Sequence, residues 1–262
     1  MSNIPEQILH IPRGIARFKE DGKAAWLDIG NAKNLEITPE NEEIEHANYR
    51  NKDSFIDQTV NKSHKVNGAF TVDSISSEVL RLFCHANDLT ESTQAITAVT
   101  DEPHTAKLGK WLKVGATATD SLGKVDLSAV RVTDDTDTDL DQATNYILDA
   151  KGGWVYIMEN AADISEDDTI HFDYTPAATV IETIKGGTQK TIQGQFMFTG
   201  DPIKTNGVNT KRQIFIADVT LSSANALPLI AEEFQELGMT MKLRDTDNFD
   251  GLYDLHVMKI GT

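Results

Sequence analysis

The stretch Lys190-Thr191-Ile192-Gln193-Gly194-Gln195-Phe196-Met197-Phe198 decides the fold class. Successive side chains of a strand point to opposite faces, so its alternation of apolar and polar residues predicts a strand with one face buried. The same period of two recurs at residues 14–18, 25–29, 34–38, 69–73, 130–133, 146–148, 154–158, 170–174, 179–184, 214–221, 239–243 and 255–260. Asp21-Gly22, Gly30-Asn31, Asn67-Gly68, Gly152-Gly153, Asn206-Gly207 and Asp250-Gly251 separate these runs with residues that adopt positive φ at little cost, as turns require. The expected fold is mainly β.

One amphipathic helix is expected near residues 75–86. There Ile75, Val79, Leu82, Phe83 and Ala86 form an apolar stripe, Ser76 or Ser77 serves as cap, Glu78 lies in the first turn and Asn87-Asp88 ends it. A second helix is expected over residues 227–237, with Asn225 as cap, Pro228 near its start and Gly238 beyond its end.

The chain has 262 residues, 24 Lys+Arg against 41 Asp+Glu and a formal charge of −17. Hydrophobic residues make up 39%, enough for a core, which excludes wholesale disorder. So acidic a chain, with scattered cations, is repelled by nucleic-acid phosphates and anionic lipid. Cys84 stands alone and forms no intramolecular disulfide, so the fold does not depend on an oxidising compartment. No signal-peptide pattern opens the sequence, and no run approaches the ~18 apolar residues of a membrane span, so a soluble protein is expected.

Polar stretches at residues 90–105 and around Thr175-Pro176-Ala177-Ala178 suggest two boundaries. The expected organisation is a discontinuous outer domain, residues 1–98 plus 179–262, with an inserted β module at residues 99–178. Residues 39–65 carry many charges and few apolar side chains, and they read as a long loop that is either functional or mobile.

Catalytic, cofactor-binding and metal-binding residues are not expected. The histidines His10, His46, His64, His85, His104, His171 and His256 include no helical pair flanking a glutamate. Lys185-Gly186-Gly187-Thr188 is a turn and lacks the spaced glycines of a phosphate loop. In the acidic run from Asp134 to Asp141, a calcium-loop frame starting at Asp135 needs Gly and Glu where Leu140 and Tyr146 stand. Trp154 and Tyr156 share one face of a strand, opposite Val155 and Ile157, and that face is either core or an exposed patch able to meet a neighbour.

The opening pattern of residues 14–18, Trp26-Leu27-Asp28-Ile29-Gly30-Asn31, Leu35-Glu36-Ile37 and Glu43-Ile44-Glu45-His46 resembles the major tail tube proteins of long, non-contractile-tailed bacteriophages. The run Ala143-Thr144-Asn145-Tyr146-Ile147-Leu148-Asp149 with Gly152-Gly153-Trp154-Val155-Tyr156-Ile157 is similar to a hairpin common in phage tail modules. Here Asn145 replaces the usual Asp and Trp154 a usual aliphatic residue. The resemblance implies a β-sandwich or barrel-like protomer with a flanking α-helix and an inserted small β-sandwich. Such protomers assemble into stacked hexameric rings forming a conduit for DNA ejection, in a virion tail made in the bacterial host cytoplasm. Its partners would be other copies of itself, tape measure and tail terminator proteins, and DNA only in passage, with no cofactor and no membrane insertion.

On that basis the ring-to-ring contact falls to Glu42, Glu43, Glu45, His46, Arg50, Lys52, Asp57, Lys62 and Lys65. The acidic first half of that segment and its basic second half would meet complementary surfaces on the next ring. Glu36, Asp73 and Asp218, each alternating with apolar residues, are the expected channel-facing acids. The alternative is a β-rich surface or adhesion protein whose inserted module binds a ligand.

Overall fold

The computed structural model describes residues 13–50, 55–205 and 208–259, and the turn expected at Asn206-Gly207 lies outside them. The chain divides into two compact units, residues 1–89 with 184–262, and residues 90–183. In chain order the elements are β1 (Gly14–Glu20), β2 (Leu27–Asp28), β3 (Ala32–Asn48), β4 (Phe55–Val72) and α1 (Ser77–Phe83). There follow β5 (Leu89–Gln94), β6 (Val99–Thr105), β7 (Trp111–Lys113), β8 (Leu127–Asp134), β9 (Tyr146–Asp149), β10 (Trp154–Ile157), β11 (Thr169–Pro176) and β12 (Thr179–Ile184). The chain closes with β13 (Ile192–Gly200), β14 (Ile203–Thr205), β15 (Val208–Ser223), β16 (Leu237–Leu243) and β17 (Asp254–Lys259). The protein is mainly β, and α1 is its one helix among the described residues.

The first unit is one sheet in the order β2-β1-β13-β15-β16-β4-β3, with β14 and β17 also paired to β15. The deciding stretch lies in β13, whose Ile192, Gly194 and Phe196 are buried while Gln193 and Gln195 are half-buried. Gly194 is required by a close approach, because a Cβ there would meet the Lys19 carbonyl of β1 and the Phe18 ring. Phe18, Phe70, Phe196, Leu221 and Met239 fill the core with Val79, Leu82 and Phe83 of α1. Burial stabilises each such side chain by about 1.5–3 kcal/mol.

Helix α1 is capped by Ser76, whose hydroxyl accepts from the Val79 amide at 3.3 Å. It stops at Phe83, before Asn87-Asp88, since Cys84 caps it and His85 takes a positive φ of 51°. Arg81 is 6% exposed and joins three segments. Its guanidinium donates to Glu20 of β1 at 2.7 Å, Glu78 at 2.8 Å and the Ala86 and Asn87 carbonyls at 2.9 and 3.2 Å. Glu20 also accepts from Gln189 at 2.9 Å.

The second unit holds two three-stranded sheets, β7-β10-β9 and β6-β11-β8. Val155 and Ile157 from one and Val132, Ile170 and Phe172 from the other share a single core. The chain enters and leaves through the β5–β12 ribbon, in which Thr90 donates to the Thr183 carbonyl and Ser92 to that of Ile181. That ribbon moves the division to 89/90 and 183/184, against expected boundaries at 98/99 and 178/179. Because each unit has its own core, replacing residues 93–180 with an Asn-Gly turn should leave the first unit folded. Calorimetry should then show one transition at the temperature of the first unit in the full chain.

Four local expectations are corrected. Residues 90–105 contain β5 and β6, whose faces are largely exposed and therefore show no apolar alternation. Asn67-Gly68 is no turn. It continues β4, and a Cβ on Gly68 would meet Met241 and Ile37 at 2.6 and 2.9 Å. Residues 227–236 are not helical: of the expected stripe Leu227, Ile230, Phe234 and Leu237, only the two ends pack on the core, while Ile230 and Phe234 face solvent without the packing that sustains a short helix. The fourth is the long loop at residues 39–65, which is a ribbon.

Candidate functional site

Strands β3 and β4 pair from Ala32↔Val72 to Asn48↔Phe55, but β4 meets its other neighbour, β16, only over residues 67–72. Beyond Pro39↔Val66 the two strands therefore run on as an isolated arm. Ten residues of β3, from 39 to 48, span about 30 Å at strand rise. Both faces of the arm are wet, so its sequence shows charge where a half-buried strand would alternate.

Most of the expected contact residues lie on this arm. Glu42, Glu43, Glu45 and His46 are exposed on β3, Asp57, Lys62 and Lys65 on β4, and Arg50 just past the end of β3, while Lys52 falls outside the described residues. The antiparallel register sets the acidic strand directly against the more basic one. Glu42 accepts from Lys62 at 2.7 Å and from Ser63 at 3.2 Å, and these bonds hold its carboxyl below the usual range. His46 meets Asp57 at 2.6 Å. Glu42 and His46 thus pair with the facing strand within the arm, while Glu43, Glu45 and Lys65 stay exposed. Exposed apolar side chains lie among these charges: Ile44 and Val60 sit opposite one another, and both are exposed along with Ile56 and Tyr49.

The sheet has open edges at β2, β3 and β17 among the described residues. On β17, Leu255, Val257 and Met258 are exposed. Exposed edge strands carry unpaired backbone groups and are templates for pairing with another chain.

The three expected channel acids separate. Glu36 is exposed on β3. Asp73 is half-buried, held below the usual carboxylate range by Lys33 at 2.7 Å and by Asn31 at 2.6 Å. Asp218 is 3% exposed and accepts from Thr246 and Asn248, each at 2.6 Å, so it cannot present charge to a channel. Its neighbours Ala217 and Val219 face the core, and residues 244–248 cover its own face, which alternation within β15 does not reveal.

In the second unit the acidic run is organised around a protein cation. The Arg131 guanidinium donates to Asp137 at 2.8 Å, Asp139 at 2.5 Å and Asp173 at 3.2 Å, and these bonds raise its pKa further. No group of acidic, His or Cys side chains suited to a metal ion occurs among the described residues. On the outer face of β7-β10-β9, Trp111 stacks at a tilt on Tyr156, centroids 5.2 Å apart, and the Lys113 ammonium lies 5.4 Å from the Trp154 ring centre. Sequence reading found Trp154 and Tyr156 but not Trp111, whose strand is only three residues long. Cys84 is half-buried and its thiol is pushed up by burial, away from reactivity.

Glu102 is the titrating group that matters to this unit. Burial works to raise its pKa, but it accepts from the Tyr174 hydroxyl, from the Gly115 amide at 2.9 Å and from His104 at 2.7 Å, and the net effect is a carboxyl below its usual range. A depressed folded-state value means that the unfolded chain takes up the proton first as pH falls. Stability from Glu102 is therefore complete above the ordinary carboxylate value of about 4.3 and is lost as pH drops below it. The second unit should melt progressively earlier in that window, and Glu102→Gln should flatten the pH dependence, as followed by calorimetry across pH.

Among the described residues no helix is long and apolar enough to cross a membrane. No curated protein matches the chain. A family model does match, from the first residue of β1 to the turn before β17. The chain belongs to the family described as "Protein of unknown function UCP028589", which covers residues 14–251.

Proposed function

We propose that the protein is a major tail tube subunit of a long, non-contractile-tailed bacteriophage, polymerising as stacked hexameric rings around a channel through which DNA passes. The observation that carries this reading is the β3–β4 arm. Two strands without a third, bearing exposed Ile44, Ile56 and Val60, are marginally stable alone and gain from a partner surface. In a tube, that partner is the next ring. Open edges at β2, β3 and β17 find their complement in neighbouring copies, since ring closure pairs edges that a β monomer must otherwise protect.

A net charge of −17 suits a conduit. Like charge keeps phosphate sliding past the wall over the ~8 Å reach that physiological salt allows. Glu36 remains a candidate for the channel, whereas Asp218 does not. The protein then resides in the virion tail, with tape measure and terminator proteins as its other partners. The aromatic face of Trp111, Trp154 and Tyr156 favours a second reading, a surface protein whose inserted module binds a ligand. Sedimentation velocity over a wide concentration range separates the two. Tail tube subunits should shift from monomer to a discrete ring mass, and a monomer throughout supports the second reading.

A further inference from the structure

The segment between β15 and β16 is closed at its base yet exposes its apolar side chains. Asn225 accepts from the Gly238 amide at 2.8 Å and donates to the Glu236 carbonyl at 3.4 Å, the Ala224 amide donates to the Gly238 carbonyl at 2.8 Å, and Gln235 donates to the Pro228 carbonyl at 3.1 Å. Above that base Leu229, Ile230 and Phe234 are 86%, 97% and 96% exposed. A single exposed leucine needs no explanation, but three large apolar side chains within six residues form a patch that marks an interaction site.

A complementary hollow exists on the same unit. A groove of about 590 Å³ opens between β1 and β3, with walls of Ala16, Leu35, Ile37, Phe198 and Leu255. Its lining holds one charged residue, Arg13, and no carboxylate. The exposed loop carries Glu232 and Glu233 beside its apolar side chains. In a chain of charge −17, a hollow lined by a lone cation is matched to an acidic knob.

The two surfaces do not meet within one copy: Ile230 and Phe234 stay almost fully exposed, and only the base of the loop touches the groove's rim, where Glu236 accepts from Lys33, between Ala32 and Asn34, at 2.9 Å. We propose that residues 226–236 are a docking loop that seats Ile230 and Phe234 in the Leu35–Ile37–Leu255 groove of a second copy of this chain. Knob and hollow are different surfaces, so the contact is head-to-tail and propagates until it closes into a ring. The proposal rests on the assembly reading above and assigns its side-to-side contact, distinct from the ring-to-ring arm.

The test uses two full-length variants altered only at exposed positions, Ile230→Asp with Phe234→Asp in the loop and Leu255→Glu in the groove. Each should melt like the parent but remain monomeric in sedimentation velocity where the parent forms rings. Mixed in equal amounts, the two retain one intact loop and one intact groove, so the mass should double and stop at the dimer. Arg13→Glu should also weaken ring formation, and Glu232→Lys with Glu233→Lys in the same chain should restore it. Rings from either single-site class, or a mixture that stays monomeric, would overturn the docking loop while leaving the assembly reading in place. A parent chain that never associates would remove both.

Discussion

Arg81→Ala should be the most damaging single substitution in the first unit. It leaves the Glu20 carboxylate buried without its cation and strips the Ala86 and Asn87 carbonyls of their donor. Removing one member of a buried pair costs about 3–5 kcal/mol. For a unit of this size that lowers the melting temperature by roughly 10 °C. Thermal unfolding followed by circular dichroism checks the value. Combining Arg81→Met with Glu20→Gln should recover part of the loss, because the uncompensated charge goes with it. A double variant no better than the single one would place the damage in packing and not in charge.

The second large effect is on assembly. Joining Glu43 to Asn61 through an Asn-Gly turn removes residues 44–60, the outer arm, at a point where the two strands are already in register. Among the described residues of the excised stretch all are exposed save half-buried Ala47 and none belongs to the core, so melting should be unchanged. Rings should still form, and elongation into tubes should be lost entirely in electron micrographs. Tubes of normal length from this variant would show that the arm is a solvated appendage.

The features legible in the sequence are those where one face is buried and the other wet. Strands β1, β13 and β16, and the β9–β10 hairpin, alternate for that reason, as does the Ser76-capped helix. Where burial is the same on both sides the pattern disappears. The outer arm is wet on both faces, so the outer part of β3 from residue 39 onward, and the β4 residues paired with it, looked like a charged loop. Asp218 has the opposite problem: it is polar yet covered on both sides, and only the distant residues Thr246 and Asn248 explain it. Residues 227–237 carry a helical stripe of Leu227, Ile230, Phe234 and Leu237, but only its two ends pack on the core, and without burial of its middle a short helix does not pay its nucleation cost. Trp111 joins the aromatic face through the pairing Tyr156↔Trp111, a long-range fact that no local pattern announces.

The most direct measurement is negative-stain electron microscopy of the concentrated full-length protein. Hollow tubes, or annuli stacked with a regular axial repeat, are the result that a ring-forming subunit with an extended arm predicts. Fields of dispersed single particles at every concentration, with no annuli, would contradict it.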